Sequence, residues 1–272
     1  MADDRSNEDR LDTLVVAAVE SKDLTFLQKL LDQRVAEDPH AFRWGGLSNA
    51  LNKAVELARY DMADELFKRG ATWNDTTIGE VIDGALEENE WNIKFIDMAL
   101  SYGWDINEHF DHLGTALACT IMYADPGGDM ACLKVAANLL SRGADANEGG
   151  ILESPLGLAC ERGDDKMISL LFAYGATIDK APNALLLAAR HGRVEIMQRL
   201  FDHGADVNAH PWQQDSEHGG SALHCAVQGG HTEAVRFLLE KGATKDYRDK
   251  DGLLALDLAK KLGYHEIVQL IE

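Results

Sequence analysis

The sequence predicts an all-α solenoid of stacked helix-turn-helix units joined by short hairpin loops. Three observations carry this expectation. A phrase of apolar segment, glycine, usually a small residue, then Asp or Thr recurs at Gly70, Gly103, Gly143, Gly175, Gly204 and Gly242. These glycines are 33, 40, 32, 29 and 38 residues apart, a mean of about 34, which is the length of one two-helix unit with its hairpin. Alanine and leucine recur at matching places within successive units. Aromatic residues make up only 7% of the 272 residues, which disfavours a large aromatic-rich sandwich core.

In chain order, residues 1–10 read as a flexible acidic N-terminus and residues 11–272 as a single array of eight units. The units start near Leu11, Ser48, Ile78, Thr115, Ser154, Asn183, Ser221 and Leu254. The first three depart most from the common grammar, as in Asn49-Ala50-Leu51-Asn52. The last three keep it best. In the seventh, Leu223 and Ala226 share one face of a first helix, and Gly229-Gly230 ends that helix. Val235, Leu238 and Leu239 then stripe a second helix that Gly242 stops. One such unit cannot bury its own apolar face, so neighbours must stack. Ala54, Ala85, Ala159, Ala188, Ala226 and Ala259 are expected to line the close approach between first helices. Leu51, Leu117, Leu156, Leu185, Leu223 and Leu256 are expected to form a second buried column.

Ser221-Ala222-Leu223-His224 resembles the Thr-Pro-Leu-His phrase of the ankyrin repeat. Gly230-His231 resembles that family's Gly-His turn, and Gly204-Ala205-Asp206-Val207-Asn208 its hairpin opening. The resemblance runs from about residue 11 to 272. It implies that His224 hydrogen-bonds backbone between repeats and that His203 and His231 brace neighbouring hairpins. It also implies a concave surface lined by hairpin tips and the exposed ends of first helices. By alignment these are Glu56 and Leu57, Glu87 and Glu88, Met122 and Tyr123, Glu161 and Arg162, Arg190 and His191, then Gln228. The lining therefore starts acidic and turns mixed and partly cationic around Arg162, Arg190 and His191.

Three insertions interrupt the period, at Asp32–Gly46, Ala124–Met130 and Ala209–Gly220. Insertions in a solenoid emerge as loops, often on the binding face. Trp44 and Trp212 lie in the first and third, either folded back as local plugs or standing out as partner anchors. Trp73 takes the place of Ile106, Ile178 and Val207 in other units and is expected in the core.

Composition sets the function classes. Lys and Arg total 26 against 46 Asp and Glu, a net charge of −20. Such a surface repels phosphate backbones and anionic membranes, so neither nucleic acid nor membrane is an expected partner. The acidic N-terminus is unlike a signal peptide and no apolar run approaches the roughly 20 residues that span a bilayer. Cys119, Cys132, Cys160 and Cys225 form no Cys-x-x-Cys pair and read as buried thiols of a cytoplasmic or nuclear protein. His109 and His112 sit on one hairpin, His210 and His218 on another three repeats away, so no metal site is expected. There is no Gly-x-Ser-x-Gly elbow, no phosphate-cradling loop and no cofactor signature.

Two functional readings follow. The first is a non-catalytic scaffold that binds a protein or peptide, with a basic segment, in the groove. Its contacts are Glu56, Glu87, Met122, Tyr123, Arg162, Arg190, His191 and Trp212. The second is a small-molecule enzyme or binder of cyclase or isomerase type. There, a pocket holding Tyr123, Glu161, Arg162 and His191 would supply acid-base chemistry to a small organic ligand without a cofactor.

Overall fold

Helices of seven to fourteen residues are marginal alone in water, so each must gain its stability from a packed face. The computed structural model describes residues 13–37, 47–85, 93–110, 113–150, 153–209 and 220–272. Its helices come in antiparallel-like pairs along the chain, and the chain divides into two compact units. One holds the residues up to Tyr123 with Met130–Ala144, the other Ala124–Asp129 with Asp145–Glu272.

The first unit contains α1 (13–20), α2 (Leu24–Glu37), α3 (Ser48–Glu56), α4 (Tyr60–Lys68), α5 (Asp75–Ala85), α6 (Ile93–Ser101), α7 (Ala116–Tyr123) and α8 (Met130–Ser141). The odd helices α3, α5 and α7 pack side by side, as do α2, α4, α6 and α8, and each pair closes on itself. The second unit contains α9 (Pro155–Arg162), α10 (Asp165–Ala173), α11 (Ala184–Arg190), α12 (Val194–Asp202), α13 (Ala222–Gln228), α14 (Thr232–Glu240), α15 (Ala255–Leu262) and α16 (His265–Ile271). A 3₁₀ turn covers Ile178–Lys180. Here α11 lies between α9 and α13, and α13 between α11 and α15, with the even helices forming the second layer. No strand is assigned among the described residues, only two isolated bridges, at Phe110–Gly114 and Arg248–Leu254.

The columns of small and branched residues explain the stacking. Ala54, Ala159, Ala188, Ala226 and Ala259 are fully buried, and a larger side chain at these helix crossings would overpack them. In α7 the same place is held by Thr120, whose buried hydroxyl donates to the Ala116 carbonyl at 2.8 Å and so hides its own polarity. Leu51, Leu117, Leu156, Leu185 and Leu223 are buried, but Leu256 is only half-buried. Trp73 is in the core, stacked on Trp104 with ring centroids 5.1 Å apart. Neither indole N–H has an acceptor.

Helix ends are made locally. Ser154 caps α9, accepting from the Gly157 N–H at 3.1 Å, with Pro155 in the first turn, where its missing N–H costs nothing. Between the helices of a pair the chain must turn through the left-handed region. In the second unit glycine does this at Gly163, Gly192, Gly230 and Gly263. In the first unit Lys22 and Ala58 do it, at φ 57° and 53°.

Candidate partner-binding surface

The exposed ends of the first helices carry most of the residues expected to bind a partner. In the first unit Glu56 closes α3 and pairs with Lys53. The Lys53 ammonium is held above its usual pKa, chiefly by the hydrogen bond to Glu56 and further by the charges of Glu56, Glu20 and Glu80, against some burial. Glu80 on α5 has its pKa raised by burial and by repulsion from Glu56 and Asp83. Tyr123, at the end of α7, is 51% exposed, and its ring lies over α5 at Gly79, where a Cβ would sit 3.7 Å from Cζ. Burial raises its phenol pKa, and so do the charges of Asp75, Cys119 and Asp83. The result is an acidic strip of Glu20, Glu56, Asp75, Glu80 and Asp83 around one ammonium and one open aromatic face. Met122 beside it is half-buried.

In the second unit Glu161 and Arg162 close α9, Arg190 closes α11, and His191 caps it. His191 sits within the fields of Arg193, Glu161, Arg190 and His231. Its pKa is pushed down by burial first and then by Arg193, with Glu161 opposing. Two side chains in this cluster were not among the expected contacts. The Arg193 guanidinium lies against Gly163, where any Cβ would clash with it. The His231 ring lies on Gly192, where a Cβ would come 2.6 Å from Cγ. Tyr264 covers Gly230 in the same way, and Asp164 covers Gly128. The residue after each turn thus plates the left-handed backbone of the preceding pair. The sequence carries that signal in the position following each Gly, at Asp164, Arg193, His231 and Tyr264.

Glu87 and Trp212 lie outside the described residues, as do Glu88 and Trp44. Tyr123 belongs to the first unit, and Glu161, Arg162 and His191 to the second. Two cavities of the second unit, about 480 and about 90 Å³, are lined by other side chains. Among the described residues no group of three or more His, Cys, Asp or Glu could hold a metal ion. No helix there is long and apolar enough to cross a membrane.

Residues 121–211 match the family model for three-copy ankyrin repeats, and residues 185–239 match the model for ankyrin repeats in many copies. Residues 121–239 belong to the ankyrin-repeat family. Its curated relatives include the ankyrin repeat and KH domain-containing protein mask-1 of Caenorhabditis elegans, 35% identical over 120 residues. That match covers 43% of this chain and 4% of the relative. The E3 ubiquitin-protein ligase hecd-1 of the same organism is 35% identical over 88 residues, 31% of this chain and 3% of the relative. The ankyrin repeat and SAM domain-containing protein 6 of Rattus norvegicus is 37% identical over 99 residues, 36% of this chain and 10% of the relative. The matched stretches therefore span between 3% and 10% of these relatives. Ankyrin repeats in general serve as protein-interaction scaffolds.

Ankyrin hairpins here are tied together by asparagine. The Asn147 amide donates to the Gly175 carbonyl at 3.0 Å and its oxygen accepts from the Thr177 N–H at 2.9 Å. Asn208 makes the same two bonds, to Gly242 at 3.2 Å and from Thr244 at 2.9 Å. Asn107 donates to Gly143 at 3.4 Å. The hairpin between them in sequence carries Asp179, whose carboxylate has no N–H to give. The larger cavity lies at this step, lined by Phe172, Ile178, Asp179, Pro182, Leu200 and His203.

Proposed function

We propose that this chain is a scaffold that holds a partner polypeptide on the exposed ends of its first helices, with a basic segment of the partner on the acidic strip of the first unit. The observation that supports this best is the setting of Tyr123, an open aromatic ring beside Asp75 and Asp83. A lysine or arginine side chain placed there would meet carboxylates and a π-face together. The proposed contacts are Glu56, Glu87, Met122 and Tyr123 in the first unit and Arg162, Arg190, His191 and Trp212 in the second. A net charge of −20 would also speed the approach of a basic segment, an effect that salt screens. A cytoplasmic or nuclear setting fits four cysteines that are all buried and unpaired. Burial pushes the thiols of Cys119 and Cys225 up to about 11, which keeps them unreactive.

The test is binding of a fluorescently labelled lysine-rich peptide followed by anisotropy. The Glu56→Lys/Glu80→Lys double variant is expected to raise Kd about tenfold, and Tyr123→Ala about threefold, with wild-type affinity falling as salt rises. Undiminished affinity in the charge-reversed variant would remove the acidic strip from the interface.

A further inference from the structure

Three arginines elsewhere in the molecule have carboxylate partners. Arg69 pairs with Asp32 at 2.7 Å and with Glu65 at 3.1 Å, Arg142 with Asp97 at 2.6 Å, and Arg199 with Asp165 at 2.8 Å. Among the described residues Arg190 and Arg193 have no ion pair, although the chain carries 46 acidic side chains against 26 basic ones. The two arginines act on His191 together with His231, and Glu161 opposes them. The Arg190 and Arg193 charges repel one another, and Glu161 is the opposing charge beside them.

Two of these side chains are also held in place. Arg193 is pressed onto the backbone of Gly163, and its buried Nε–H has no acceptor. A buried charged donor without a partner costs free energy on the order of a few kcal/mol. His231 is pressed onto Gly192, and the Gly229 backbone lies against the Arg190 carbonyl so closely that a Cβ there would clash. These contacts fix the turn after α11 against the turn after α13. An anion arriving here would find the Arg193 guanidinium already positioned, and a guanidinium favours carboxylates bound through paired N–H groups.

We propose that the turn carrying Arg190, His191 and Arg193, with His231 on the next turn, docks an acidic stretch of a partner polypeptide. The proposal rests on the reading that exposed helix ends bind a partner. It adds Arg193 and His231 to the surface and names the chemistry of a second segment, opposite in sign to the first. The guanidiniums of Arg190 and Arg193 and the imidazoles of His191 and His231 are spread over two successive turns. That spacing suits a run of acidic side chains better than a single phosphate group. The exposed Glu161 borders the row on the α9 side and limits where the acidic run can lie.

Anisotropy with a labelled oligoglutamate of about six residues at about 50 mM salt tests this. Wild-type protein is expected to bind the probe despite its own net charge of −20. Arg190→Ala should weaken binding about tenfold, and Arg190→Ala/Arg193→Ala should weaken it further. Because Arg193 packs on Gly163, its loss risks the fold. Arg190→Ala leaves that packing intact and carries the decision, with an unchanged melting temperature as its control. The Glu56→Lys/Glu80→Lys variant should bind oligoglutamate as wild type does. Its loss of the lysine-rich probe alone would separate the two segments. No binding of oligoglutamate, equal binding by Arg190→Ala, or full displacement by an equal concentration of inorganic phosphate would each overturn the proposal.

Discussion

His224 shows how a single side chain couples stability to pH. The Ser221 N–H points at its Nδ1 at 3.3 Å, and the Ser221 hydroxyl lies 2.9 Å from the same atom. Nδ1 must therefore accept, and Nε2–H donates to the Leu253 carbonyl of the next repeat at 3.1 Å. A second proton would set one N–H against another. Burial lowers the His224 pKa, with the Leu253 carbonyl and Asp249 partly offsetting it. The unfolded chain thus takes up that proton first, near pH 6.5. The His224 contribution is complete above that pH and is lost as pH falls towards the depressed folded value. The urea midpoint of wild type should drop more between pH 7.5 and 5.5 than that of His224→Gln. Parallel pH profiles would contradict this. Ala58 offers a complementary case. Its φ of 53° places a Cβ where the second unit uses glycine. Ala58→Gly should stabilise by about 0.5–1 kcal/mol, relief of left-handed strain offset in part by chain entropy, and a lower urea midpoint would refute it. His224 was readable from its place in the Ser221–His224 phrase. Ala58 was not, because nothing in the residue itself signals a left-handed backbone.

The hairpins carry the clearest consequences at the level of elements. Asn147 and Asn208 each join adjacent hairpins through one donated and one accepted bond. The Asp179 carboxylate can accept but cannot donate, and it folds back on its own exposed hairpin, where the Thr177 side chain and its own N–H lower its pKa. Asp179→Asn is expected to restore the missing bond to the next hairpin and to raise stability by about 1 kcal/mol, read as a higher urea midpoint. Asn147→Ala should lower stability by about 1–2 kcal/mol. A neutral or destabilising Asp179→Asn would show that the 3₁₀ turn at Ile178–Lys180 forbids the bridge. The insertion at Ala124–Met130 reads as a loop in the sequence. In the structure the Gly127 N–H donates to the Arg162 carbonyl at 2.9 Å, and Asp164 packs on Gly128. That pinning was hidden because both partners lie a repeat further on, and spacing along one strand of sequence does not reveal them.

The repeat made the fold class of the whole molecule legible. A weak helix-turn-helix signal, echoed at Gly143, Gly175, Gly204 and Gly242, becomes strong through recurrence. The proposed binding surface was only half legible. Aligned positions named Tyr123, Arg190 and His191 for it, but Arg193 and His231 join that proposal by lying across glycines of another repeat. Stability should also vary along the array. The first unit contains left-handed Lys22 and Ala58 and the unsatisfied donors of Arg59, Trp73 and Trp104. Hydrogen exchange should therefore be faster in α3 and α4 than in α13 and α14. The reverse order of protection would count against this ranking.

The plating of glycines by the following repeat makes the array directional. Asp164, Arg193, His231 and Tyr264 are an acid, a guanidinium, an imidazole and a phenol, each seated on the turn before its own. Shuffling these repeats would place the wrong group on every bare backbone, so the modules are addressed to their neighbours and cannot be exchanged like identical bricks. Trimming from the C-terminal side would uncover Gly230 first, then Gly192, in a fixed sequence of exposed seams.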